Sequence, residues 1–195
     1  MGKYYYLVAG LPKLALEDNK LSYTVADFKE DIYPALTVAD KKLVSLFFLQ
    51  YDNANVLKLL KDKEAAIDGR GVFSAEELNE YILRLKEGDR IENSMFPAYL
   101  STFISEYFTN PVEENFLLEN RLAALYYAYA MECKNKFVSS WFAFNLTVNN
   151  ILVALAARKY KMELSSVIVG DTEVCEALRT SNARDFGLTG EVDCM

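Results

Sequence analysis

Apolar residues along the chain recur at helical spacing, and punctuation between the runs is sparse. Hydroxyl residues followed three positions later by an acid mark helix starts at Thr24 with Asp27, Thr37 with Asp40, and Ser74 with Glu77. In such a pair the hydroxyl accepts from a free backbone N–H of the first turn and the acid reaches back. Pro97 and Pro111 suit a first turn that needs no N–H, and Asn110 is a plausible cap before Pro111. The pattern predicts helices near 25–33, 38–50, 53–62, 75–87, 97–108, 111–133, 136–161 and 171–180, with a turn at DGRG, 68–71. Segment 3–16 reads equally as a short strand or as a helix interrupted at Gly10. Strict apolar–polar alternation never persists long enough for a sheet, so the fold class is all-α, a multi-helix bundle.

Between Lys136 and Arg158 runs FVSSWFAFNLTVNNILVALAA, with no charge and about the length a bilayer core requires. Asn145, Thr147, Asn149 and Asn150 near its middle weigh against a span. Phe137, Trp141, Phe144, Val148, Ile151 and Leu155 follow alternating steps of four and three, the spacing of a seam packed against another helix. Leu146, Val153 and Ala157 add a second stripe, so the reading favoured is a core helix buried on more than one side. The NLT sequon at 145–147 falls inside this helix and reads as chance.

One window interrupts the apolar pattern. In YDNANVLKLL, Asp52 and Asn55 lie three residues apart, on one face of a helix. Aligned without gaps, LFFLQYDNANVLKLLKDK (46–63) and WFAFNLTVNNILVALAAR (141–158) pair Phe47 with Phe142, Asn55 with Asn150 and Leu60 with Leu155. Thr147 then stands where Asp52 does. Because any two amphipathic helices match at apolar positions, only the asparagines carry extra information, and the echo remains open as an internal repeat. An amide there suits backbone groups exposed where a neighbouring helix begins or ends.

Composition narrows the chemistry. The chain has 195 residues, 52% of them hydrophobic and 25% charged, with 13 Tyr, 12 Phe, 8 Gly and 4 Pro, as expected of a helical globular chain. It is taken as a single all-α domain, 1–195; the glycine-bearing region 62–74 allows sub-units 1–67 and 72–195. The ending GLTGEVDCM has neither a helix end nor a polar tail, which suggests a fragment of a longer chain. A net charge of −7 without a basic block argues against nucleic acid. Having no histidine removes Ser-His and Cys-His pairs, HExxH zinc sites and the Glu-x-x-His di-iron pattern.

Cys133, Cys175 and Cys194 lack metal-ligand spacing and suit a reducing cytosol. Acid pairs such as Glu113, Glu114 and Glu119, or Asp27, Glu30 and Asp31, read as solvated helix faces. DGRGVFS lacks a Walker lysine. No catalytic, cofactor-binding or metal-binding residue is therefore assigned.

The two windows do resemble a known family, the funnel-shaped all-α socket protein that seats the central stalk on the membrane rotor ring of V/A-type ATPases. YDNANVLKLLKDK is similar to the acid-x-x-Asn segment that recurs in the repeated helical units of that socket. TVNNILVALAARKY resembles a second copy, with Thr147 in place of the acid. The stretch from YYYLVAGLP through LSYTVADFKEDIYP to YDNANVLKLL also resembles a bacterial family of unassigned function encoded beside V-type ATPase genes. The resemblance implies a non-catalytic rotor-socket component of the central stalk, cytoplasmic and peripheral to the membrane. Its partners would be the other stalk and membrane-ring components, and Asp52, Asn55, Thr147 and Asn150 would be structural residues at helix junctions. This chain is shorter than a full socket protein, has no clear third repeat and has lost the second acid. Two other classes stay open: a helical adaptor unrelated to ATPases, using Tyr4, Tyr5, Tyr6, Tyr126, Tyr127 and Tyr129, and an enzyme of unknown reaction.

Overall fold

The computed structural model describes residues 4–13, 15, 17, 23–89, 95–110 and 115–188. Every regular element among them is helical: α1 (Tyr5–Ala9), α2 (Val25–Asp31), a 3₁₀ turn (Tyr33–Ala35), α3 (Val38–Lys61), α4 (Ala75–Lys86), α5 (Ala98–Thr109), α6 (Asn115–Met131), α7 (Lys136–Tyr160), α8 (Leu164–Val167) and α9 (Glu173–Thr180). The fold is all-α, and the ambiguous opening segment forms the short helix α1.

The local start signals work as their chemistry requires. Thr24 and Ser74 form full capping boxes with Asp27 and Glu77. Thr37 accepts from the Asp40 N–H and donates its hydroxyl to the Asp40 carboxylate at 2.6 Å. The Tyr4 hydroxyl donates to Asp40 at 2.7 Å and accepts from the Thr37 N–H, which ties the beginning of the chain to the start of α3. Pro97 sits at the cap position of α5, one residue before its first turn. The expected start at Pro111 lies outside the described residues.

Two expectations fail for physical reasons. Segments 38–50 and 53–62 are one continuous helix, α3, about 36 Å long at 1.5 Å per residue. Asp52, Asn53 and Asn55 do not break it, because each is buried and bonded outside α3, as described below.

The second failure concerns α7. Phe137, Trp141, Phe144, Val148 and Leu155, read as the packing seam, are exposed, with Phe137 73% and Trp141 45% accessible. The buried row is instead Val138, Phe142, Leu146, Asn150 and Ala154, then Ala157. Steps of four advance about 40° around the helix each time. The row therefore winds from one flank of α7 to the other and serves two cores.

Val138 and Phe142 join the larger core, with Leu49, Val56 and Leu59 of α3, Leu78 of α4, Leu100, Phe103 and Ile104 of α5, and Leu122 of α6. Ala154 and Ala157 join a smaller one, with Val167, Ile168, Val174, Cys175, Leu178 and Phe186. Tyr126 fastens α6 to α3, its hydroxyl donating to the Leu46 carbonyl at 2.8 Å. Phe47 and Phe142, paired in the window alignment, stack on each other with centroids 5.1 Å apart.

Candidate functional site: amides at two helix junctions

Asp52 and Asn55 project from the middle of α3 onto the loop that leads into α4. Both are fully buried. Asn55 Nδ2 donates to the Asp68 carbonyl at 3.0 Å and its Oδ1 accepts from the Asp68 N–H at 2.7 Å. One side chain thus saturates both backbone groups of one loop residue, at the head of the DGRG turn closed by Gly71 N–H to Asp68 carbonyl. Asp52 takes the next donors: Val72 N–H at 2.8 Å and Phe73 N–H at 3.1 Å, one on each carboxylate oxygen. Ser74 follows at once as the cap of α4.

The spacing of the two acceptors along α3 therefore fixes where the loop ends and the next helix starts. Asn53 completes the group on another side, accepting from the Tyr99 hydroxyl of α5 at 2.7 Å.

The junction is tight. A methyl group on Gly71 would run into the Asp52 carboxylate and lie 3.2 Å from Asn55 Nδ2. Lys29 of α2 reaches over the same turn, donating to the Gly69 and Gly71 carbonyls with its ammonium 5.1 Å from the Phe48 ring centroid. Burial pushes the Asp52 carboxyl above its ordinary value, opposed by the Val72 and Phe73 N–H groups and by Lys29. Burial likewise lowers Lys29, opposed by Asp52 and Asp68. At the loop surface the Arg70 guanidinium holds Asp68 down to about 2.

The second junction repeats the amide and changes the rest. Asn150 Nδ2 donates to the Val169 carbonyl at 2.7 Å and its Oδ1 accepts from the Val169 N–H at 3.0 Å, the same two-bond grip. Thr172 then caps α9. Among the described residues Thr147 makes no hydrogen bond to this loop and is only half-buried.

Cys175 packs in beside the amide, its Sγ 3.3 Å from Asn150 Nδ2 and 3.2 Å from the Val169 carbonyl. Arg179 of α9 reaches back to the Ile168 and Gly170 carbonyls at 3.1 and 2.5 Å. Gly170, at φ +86°, occupies the left-handed region that favours glycine. Past the end of α9, Arg158 donates to the Ser181, Ala183 and Arg184 carbonyls and lies 3.5 Å over the Phe186 ring.

Three of the four motif residues thus meet backbone at a junction, and Thr147 does not. Sequence reasoning missed Asn53, Arg179 and Cys175. Asn53 sits in the same polar run as Asp52 and Asn55, a signal that was there to use, whereas nothing local marks Arg179 or Cys175. No group of three or more His, Cys, Asp or Glu side chains able to hold a metal occurs among the described residues.

The tyrosines divide. Tyr5 and Tyr6 are exposed, Tyr126 is buried, and Tyr4, Tyr127 and Tyr129 are half-buried. Clefts of about 300 Å³ beside Gly170 and Thr172, and about 710 Å³ between the end of α3 and α4, lie at the surface.

A family model described as "Protein of unknown function (DUF2764)" matches residues 1–195, and the chain belongs to that family. Neither a curated protein nor a solved structure gives a match.

Proposed function

We propose that this member of the family is a non-catalytic helical component of a V-type ATPase, similar to the rotor-socket protein, that sits on the central stalk and helps couple the soluble motor to the membrane ring. The observation that carries this reading is the shared grip of Asn55 and Asn150, each taking both backbone groups of one residue in the loop after its helix. A part that transmits torque needs stiff joints between helices, and repeated side-chain clamps on backbone supply them. The two junctions read as copies of one helical unit that keep the amide and differ in the ion beside it, Asp52 in the first and Arg179 in the second. Asp52, Asn55 and Asn150 are committed to backbone partners, which supports an architectural role for them.

In this reading the protein is cytoplasmic and peripheral to the membrane, its partners are the other stalk and rotor-ring components, and no cofactor takes part. The second reading is a helical adaptor unrelated to ATPases, favoured by the exposed Tyr5 and Tyr6.

The test is affinity capture of the tagged full-length protein from its native membranes in mild detergent. Co-purification of V-type stalk or ring components is expected; their absence removes the ATPase assignment and leaves the adaptor.

A further inference from the structure

No residue of α1, α2 or the 3₁₀ turn is buried, and none belongs to either core. Phe48 of α3 is the counterpart of that fact. It is only 8% exposed, yet it too belongs to neither core. Its cover comes from the segment before α3. The Phe28 ring meets it edge-on with centroids 6.1 Å apart, Tyr33 lies at 6.3 Å, and the Lys29 ammonium at 5.1 Å.

Residues 23–36 hold to the rest of the chain through their side chains. The Tyr33 hydroxyl lies 3.0 Å from Ser45 Oγ, the Lys41 ammonium sits 5.5 Å from the Tyr33 ring centroid, and Lys29 donates to the Gly69 and Gly71 carbonyls. Among the described residues no backbone hydrogen bond runs from this segment to another element. Its two ends are fixed without it. Thr37 and Asp40 cap α3 between themselves, and the Tyr4 hydroxyl binds both, so the chain is pinned at the start of α3 on either side of the segment. The turn that Lys29 reaches is likewise held from beneath, by Asn55 on Asp68 and by Asp52 on Val72 and Phe73. It keeps its shape when Lys29 leaves, and water can serve the two carbonyls.

We propose that residues 23–36 form a strap, fastened by Lys29, that opens from α3 as one unit while both cores stay folded, uncovering Phe48 and the Gly69 and Gly71 carbonyls. The strap is a property of this chain's own contacts, whether or not it serves an ATPase.

A free helix of seven residues is too short to persist in water, so opening melts α2 and releases its amides to exchange. The test is native-state hydrogen exchange on the full chain, read by NMR at rising urea below the unfolding transition. The amides of Phe28, Ile32 and Leu36 donate within the strap and are expected to share one opening constant. That constant should exceed those of Val56 and Phe103 by at least about a hundredfold and depend only weakly on urea, because little surface is exposed. Lys29→Met should raise it about tenfold while the Val56 and Phe103 amides stay within about twofold of the parent. Lys29→Arg, which still donates to carbonyls, should move it less than about threefold. Exchange of the strap amides only through global unfolding overturns the proposal, as do separate constants that fall off from one end of α2. An unmoved constant in Lys29→Met overturns it too, and so does an equal rise at Val56 and Phe103.

Discussion

The two junctions use the same amide and opposite charges. After α3, the loop into α4 turns two N–H groups inward, and the Asp52 carboxylate collects them. After α7, the loop into α9 turns carbonyls toward Arg179, and a guanidinium from the following helix collects those of Ile168 and Gly170. The amide can serve both because it carries a donor and an acceptor, and so matches the N–H and carbonyl of a single residue in either loop. The ion is specific to the loop's local direction. Asn55 and Asn150 are therefore the common device, while Asp52 and Arg179 are separate solutions to loops that present opposite backbone ends.

The largest effect should come from removing the ion of the first junction. Asp52→Ala leaves the buried Phe73 N–H and the half-buried Val72 N–H without acceptors and should lower unfolding free energy by about 3 kcal/mol in urea titrations. A loss under about 1 kcal/mol would mean that water replaces the carboxylate and that the junction is not sealed. Next come the amides. Asn55→Leu and Asn150→Leu each orphan one N–H and take one of two donors from a carbonyl, the other being Gly71 N–H or Cys175 Sγ, and each should cost about 2 kcal/mol. Similar losses would support one device used twice; an unchanged melting temperature for either would separate them.

Which of these features could be read from residues depended on the distance to their partners. Thr24, Thr37 and Ser74 announced helix starts because cap and acid lie three residues apart on the same turn. The expected helices 38–50 and 53–62 stop and restart around Asp52, whose partners, like those of Asn55, lie thirteen to twenty-one residues downstream, where no periodicity points. Arg179 was invisible for the same reason: its partners are loop carbonyls, and a carbonyl has no residue identity.

On α7 the apolar stripe was read as packed against another helix, and the structure leaves most of it exposed. Spacing says that a stripe can pack; it does not say what against. The row that packs inside contains Asn150, Ala154 and Ala157, small or polar residues that look weaker than Phe137 or Leu155. Small residues let α8 and α9 approach closely, and that advantage belongs to the assembled fold.

Smaller effects test the same contrast. Gly71→Ala forces a methyl group against a carboxylate that is itself held by two N–H groups, so the strain cannot relax by a simple rotamer change; about 1–2 kcal/mol is expected. The pH response isolates Asp52 further. Its carboxyl is raised above the ordinary 3.8 by burial, so the folded state binds its proton more tightly than the unfolded one. Its contribution to stability is then greatest below that value and declines as pH rises through the raised one. Measured at pH 4 and pH 7, the penalty of Asp52→Asn should shrink toward neutrality. A penalty that grows instead would show that Val72, Phe73 and Lys29 outweigh burial.

The smallest change bears most directly on whether the two junctions differ in kind. If Thr147 were merely a degraded Asp52, then Thr147→Asp should restore a lost clamp and raise stability by about 1 kcal/mol or more, the value of a charge-assisted hydrogen bond. The geometry argues otherwise. The Val169 N–H is already held by Asn150, and the second loop is fastened through its carbonyls by Arg179. A new carboxylate at position 147 would be half-buried, and the guanidinium of this junction is already taken by carbonyls. Thr147→Asp should therefore leave the unfolding free energy within about 0.5 kcal/mol of the parent or lower it. A clear gain would mean that free N–H groups face position 147, and that the second junction is the first one with its acid missing.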